Sequence, residues 1–302
     1  MGLLSGSASV TRCVATSRPD TLDFDEFPFE ELPPGTTIRE RVGFLPFEPG
    51  GQYQIGQHRW AFRVRIDTLK ADVTAVQELL KEMIRAEKEA TGTPFVHPRK
   101  RRTLKQLAEE ELLIKATPRT RVIECCLDDH TLWVGTTANT HIGTVLGQLH
   151  GMGIHTDFST PWMNDGEDLS PSEIVNIKEP WQSILGCRFL RLLLEDSEIV
   201  FEPESGAVRL ATRDAKITLT GAVMNELLRY VERGAEILSA KMATAEAVFR
   251  FDALNYRLAG IRIETESHEH WEELLDERLE KIAAVHELLD RKFAGLRSRL
   301  ET

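Results

Sequence analysis

Residues 58–67 read HRWAFRVRID, in which Phe62, Val64 and Ile66 alternate with Arg63, Arg65 and Asp67. A period of two turns one apolar row to a core and one polar row to water, so the segment is a β-strand with a single buried face. The period then changes. Asp72 precedes Val73, Val76, Leu80, Met83 and Ile84, a stripe at helical spacing that closes at Thr91-Gly92. An acceptor side chain before the stripe and glycine after it are the start and stop signals of a helix.

The same switching continues down the chain. A loop carries the run HPRKRR, and Thr103 to Ile114 returns to helix. Residues 120–139 hold two apolar strands split by Asp128-Asp129-His130, a hairpin signal. Asn139 then opens a short helix to about His150. A helix follows Gly186, strands lie around 198–202 and 206–219, and Thr220 caps a helix over Val223, Met224, Leu227, Leu228 and Val231. A further hairpin, AEAVFRFDALNYRLAGIRIET, precedes a final helix from about His268. Strands and helices grouped this way predict an α+β fold with antiparallel sheets and packed helices. Residues 20–52 form an irregular layer whose phenylalanines plug into the body. The turn-rich stretch 155–183 reads as a linker or crossing segment between an N-terminal region, 1–154, and a C-terminal region, 184–302.

In the final helix Leu275, Ile282, Leu289 and Leu296 fall seven apart, with Leu279, His286, Phe293 and Leu300 as a companion series. That is close to an a/d seam. It serves either packing on the helix's own sheet or contact with a second subunit, and the four seam residues are the candidate dimer contact.

Chemistry-bearing motifs are few. The chain has no G-x-x-x-x-G-K-[ST], no G-x-G-x-x-G after a strand, no H-E-x-x-H and no G-x-S-x-G, so the common signatures of nucleotide, metal and acyl-transfer enzymes are missing, and neither catalysis nor a cofactor is expected. SHEHWEE (267–273) is read as the acidic start of a surface helix rather than a metal site. Cys13, Cys125, Cys126 and Cys187 make no C-x-x-C pair and are expected as reduced core thiols. Asp128-Asp129 fit the turn better than a two-metal nuclease. No stretch approaches the ~20 apolar residues of a membrane span, and the first residues lack a signal pattern. A cytoplasmic protein without membrane contact is therefore expected.

Charge is the informative property. The chain carries a formal net charge of −11, yet residues 85–121 hold ten Lys/Arg against five Glu, which makes that window +5 and leaves −16 for the rest. Arg99, Lys100, Arg101, Arg102 and Lys105 lie before and in the first turn of the helix at 103–114. Lys115, Arg119 and Arg121 follow its end. Cations at both ends of a helix of about 12 residues, ~18 Å long, suit successive phosphates of a duplex. Such contacts supply affinity without sequence preference, and nothing nearby reads bases.

The order of features resembles one family. GFLPF (43–47) precedes a strand, a Lys/Glu-rich helix and a basic linker. LAEEELLIKATPRTR then runs into IECCLDDHTLWVGTTAN and a helix ending LGQLHGMGI, and LSAKMATAEAVFRFDALNYRLAGIRIE leads to the acidic last helix. From about residue 40 onward this is similar to the RdgC family of bacterial recombination-associated proteins. The resemblance implies an elongated α+β subunit and a homodimeric ring with a basic hole. The ring would encircle duplex DNA at the nucleoid and restrain the recombinase RecA, with no enzymatic activity. It matches Lys115 and Arg119 to bases of the family's loop and places Arg213 near a DNA-facing hairpin position. The chain departs from the family at Thr117-Pro118, where members carry an aromatic side chain, and at its start, MGLLSGSASV. The expected function is thus sequence-nonspecific duplex-DNA binding in recombination or replication. A dimeric scaffold without DNA affinity, or a metal-dependent nuclease, is the alternative.

Overall fold

A computed structural model describes residues 2–161 and 185–300, with side chains as far as residue 295. The elements in chain order are β1 (Ala8–Ser17), β2 (Glu40–Leu45), β3 (Gln54–Gly56), β4 (Arg59–Thr68), α1 (Val73–Thr91), α2 (Pro98–Ile114), β5 (Arg119–Asp128), β6 (Thr131–Val134), α3 (Asn139–Gly151), β7 (His155–Phe158), α4 (Leu185–Leu193), β8 (Val200–Phe201), β9 (Ala207–Ala211), β10 (Lys216–Thr220), α5 (Met224–Glu232), β11 (Glu236–Ala243), β12 (Val248–Asp252), β13 (Arg257–Arg262) and α6 (Trp271–Leu300). The fold is α+β, and the pairings β1–β13, β1–β6, β9–β10, β11–β12, β12–β13 and β2–β4 are all antiparallel. The chain forms two compact units: Met1–Thr21 with Gln52–Ala61 and Ile123–Thr302, and Leu22–Gly51 with Phe62–Val122. Residues 1–21 and 123–154, expected with the N-terminal region, thus join the C-terminal residues. Of the expected linker, 155–158 form strand β7, and 162–183 lie outside the described residues.

In the larger unit the strand order is β10-β9-β11-β12-β13-β1-β6-β5. Strand β1, whose Ser/Thr-rich sequence carries no clear strand signal, is central: Ala8 and Val10 pair with Ile261 and Leu258 of β13, and Thr11 to Val14 pair with Val134 to Thr131 of β6. Its Ala8, Val10 and Cys13 are fully buried. The Asp128–His130 hairpin forms as expected, with Asp129 in the left-handed region at φ 51°. Thr220 ends β10 instead of capping α5, whose N-cap is Val223, so the turn residues 221–222 intervene.

Helix α6 is a core helix of this unit. Leu275, Ile282 and Leu289 have no exposed surface, and Phe293 packs edge-on against Phe189 with ring centres 5.4 Å apart. Arg278 donates to the Leu3 and Gly6 carbonyls at 2.5 and 2.9 Å, which fastens the N-terminal segment to the helix. This corrects the dimer contact expected of the seam. Burying a Leu or Ile side chain gains about 1.5–3 kcal/mol, and here that gain is already taken inside the subunit. The side chain of Leu296 lies outside the described residues.

The smaller unit builds on the ladder of β2 and β4, from Glu40↔Thr68 to Leu45↔Arg63. The phenylalanines of the irregular layer do enter its core. Phe24 packs on Phe44 and Phe62 with ring centres 5.1 and 4.8 Å apart, and all three are buried. Residues 27–29 run alongside β2 in a parallel bridge, with the Phe29 N–H donating to the Phe44 carbonyl and the Phe44 N–H to the Phe27 carbonyl, both at 3.0 Å. A Cβ on Gly43 would lie 2.4 Å from the Phe29 Cα, so only glycine admits this close approach.

Candidate nucleic-acid interface

Helices α1 and α2 form a hairpin in the smaller unit. Asp72 accepts from the Ala75 N–H at 2.8 Å to start α1, and Gly92, at φ 65°, ends it. The basic run is helical, not loop. Pro98 occupies the first helical position, where its missing N–H costs nothing, and the His97 ring Nδ1 accepts from the Arg99 N–H at 3.3 Å. That start signal was present in the sequence and outweighs the turn character of the segment. Leu104, Ala108 and Leu113 of α2 and Val76 of α1 are buried and root the hairpin. From Gln77 to Thr103, in contrast, no residue is buried. The distal half is an arm held mainly by contact between its own two helices.

Arg99, Lys100, Arg101, Arg102 and Lys105 are all exposed on this arm and its root. Three of the cations have carboxylate neighbours: Lys100 lies 3.3 Å from Glu87, Lys105 3.7 Å from Glu109, and Lys115 3.0 Å from Glu111. Arg99, Arg101 and Arg102 have no ion-pair partner among the described residues. The charge order of α2 is the reverse of what its dipole favours, because cations crowd the positive N-terminal end while Glu109, Glu110 and Glu111 sit toward the negative end. A local preference broken this way signals a use outside the helix itself.

With Pro98 as its start, α2 spans 17 residues, about 25 Å, so Arg99 to Lys105 lie along its first two turns rather than ahead of it. Lys115 caps the far end, and Arg119 and Arg121, exposed at the start of β5, alternate onto one strand face. Between the ends, a groove of about 360 Å³ is lined by Arg39, Lys70 and Lys105, with Glu109 as its acid and Val73 and Leu113 among its apolar walls. Arg39 and Lys105 share Glu109, at 3.2 and 3.7 Å. Arg39 and Lys70 lie outside the basic window 85–121, so charge counted along the sequence does not single them out. Arg213 is exposed in the turn between β9 and β10 and belongs to the larger unit.

Other chemistry-bearing groups are engaged elsewhere. All four cysteines are free and buried, and desolvation pushes the Cys13, Cys126 and Cys187 thiols up to about 12, far from a reactive thiolate. Asp128 and Asp276 both bind the Arg59 guanidinium. His268 lies 2.7 Å from Glu277, which raises the imidazole's pKa. The described residues contain no group of three or more His, Cys, Asp or Glu able to hold a metal ion. No helix among them is long and apolar enough to cross a membrane.

No family model matches the chain, and no curated protein matches it in sequence.

Proposed function

We propose that the chain is a sequence-nonspecific DNA-binding protein that holds the phosphate backbone with the α1–α2 arm and the cations along α2. The observation that carries this reading is the exposed, unpaired trio Arg99, Arg101 and Arg102 at the N-terminal end of α2, where helix dipole and side chains repel one another. A polyanion relieves that repulsion, and its released counterions supply affinity. The acidic remainder of the chain keeps nonspecific contacts away from other faces. The RdgC resemblance of the motif order extends the reading to recombination or replication, with a homodimer closing around duplex DNA and restraining RecA. Burial of Leu275, Ile282 and Leu289 within the subunit favours another surface as the dimer contact. It also weakens one of the two supports of the scaffold reading, the heptad helix, while the acidic N-terminal segment remains the other.

The deciding experiment is binding of the full chain to linear and circular duplex DNA across a salt series, with and without Mg²⁺. Engagement of about 6 phosphates gives a log–log slope near −5. Binding that needs Mg²⁺, selects a consensus sequence or shows a slope near −1 refutes the proposal.

A further inference from the structure

Phe95 sits at the tip of the arm and is 67 % exposed, against 36 % for Phe27 and 41 % for Phe158. Its loop is braced. Pro94 and Pro98 restrict the backbone on either side. Thr91 Oγ1 donates to the Glu87 carbonyl at 2.8 Å and lies 2.9 Å from Thr93 Oγ1, which donates to the Phe95 carbonyl at 3.1 Å. The loop is thereby tied to the last turn of α1 while the ring faces water. Four residues later the run Arg99–Arg102 begins, so the Phe95 Cα lies within about 14 Å of the Arg99 Cα, on the order of four nucleotide steps at ~3.4 Å each.

An aromatic ring held out beside unpaired arginines is the arrangement that captures an unpaired base: the ring stacks on the base while the cations hold the adjoining phosphates. We propose that Phe95 is such a stacking contact and that the arm recognises single-stranded stretches and strand ends. This rests on the DNA-binding reading above and adds the class of substrate. A blunt duplex hides its base faces except at the two ends, and prising a pair apart costs unstacking energy that an overhang does not. The basic and apolar combination also suits an anionic membrane surface, but a membrane-seated element presents several apolar side chains on one face. Here the residues that flank Phe95 in the loop are Pro94, the half-buried Val96 and His97, which offer no second exposed large apolar side chain.

The test measures affinity of the full chain, as wild type and as Phe95→Ala, Phe95→Leu and Phe95→Trp, for a blunt duplex, the same duplex with a single-stranded overhang, and a single strand. Vesicles of anionic phospholipid serve as a fourth probe. Phe95→Ala is expected to weaken overhang and single-strand binding about 5- to 150-fold, the range for one stacked base, with less than about a twofold change on the blunt duplex. Phe95→Trp restores binding and Phe95→Leu does not, which separates stacking from mere apolar contact. An equal loss on all three nucleic acids, no loss at all, or full rescue by Phe95→Leu overturns the stacking contact while leaving DNA binding in place. Tight vesicle binding that depends on Phe95, without the single-strand effect, overturns it in favour of a membrane reader. A wild-type chain that binds none of the nucleic acids refutes both this proposal and the function it rests on.

Discussion

Arg12 of β1 donates to the carboxylate of Asp290 on α6, with its Nη2 2.8 Å from Oδ2, across 278 residues of sequence. Tyr256 donates to the same carboxylate at 2.6 Å. Arg12 and Asp290 are 11 % and 24 % exposed, so removing the acid leaves a largely desolvated guanidinium without its carboxylate and takes an acceptor from the Tyr256 hydroxyl. Asp290→Ala is expected to cost about 3 kcal/mol, and Tyr256→Phe about 1 kcal/mol. Urea titrations check both, through a lower midpoint at unchanged slope.

One turn before Asp290, His286 is fully buried between Trp133 and Tyr256, with ring centres 5.5 and 6.2 Å away, and neither ring nitrogen has a hydrogen-bond partner among the described residues. Desolvation, and then the Arg12 charge, hold its pKa well below 6.5. A histidine depressed in the folded state takes up its proton preferentially on unfolding. Its stabilising effect is therefore complete above 6.5 and is lost as pH falls below that value. Stability of the wild type should decline by up to ~1.4 kcal/mol per pH unit from this group in mildly acidic buffer. His286→Leu should remove that component, so its gain over wild type is larger at about pH 5.5 than at about pH 7.5. Equal gains at the two pH values would assign the acid sensitivity elsewhere.

Ile282 has no exposed surface, and its neighbours along α6, Leu279, Val285 and Leu289, are buried in the same core. Ile282→Asp is expected to unfold the larger unit rather than split a folded oligomer, because an isolated carboxylate there has no partner. Ile282→Val, which only trims a methyl group, should cost about 1 kcal/mol. Circular dichroism with light scattering distinguishes loss of fold from dissociation.

Gly43→Ala brings a methyl group against the Phe29 backbone, which cannot yield as a side-chain tip would. The expected loss is about 1–3 kcal/mol, confined to the smaller unit. Hydrogen exchange should then show faster opening in β2 and β4, with protection in β11 and β12 preserved.

For the interface, replacing Arg101 and Arg102 by Ala is expected to flatten the salt slope of DNA binding by about 1 to 2 units, with stability unchanged within about 0.5 kcal/mol. The same double change at Lys105 and Lys115 should do less. Each of those ammonium groups already has a glutamate within 4 Å, at 3.7 and 3.0 Å. Similar slopes for the two double variants would remove the special role given to the arginines.

The elements legible in the chain are those whose signals lie within a few residues. The alternation of Phe62, Val64 and Ile66 specified β4, Asp72 and Gly92 bounded α1, and Asp128-Asp129-His130 turned β5 into β6. The basic run, too, was visible as charge before its structure was known, because net charge over a window needs no fold to define it. Long-range pairing decided the rest. β1 reads as a weak Ser/Thr-rich segment, and its centrality comes from β13 and β6, which lie more than a hundred residues away. The seven-residue spacing of Leu275, Ile282 and Leu289 is the same whether a helix meets a partner or its own sheet. Only the packed structure, by burying those side chains within one subunit, distinguishes the two. Phe95 was equally silent, since a phenylalanine in a sequence is by default a core residue. Its exposure follows from the arm having nothing of its own unit to pack against at that depth.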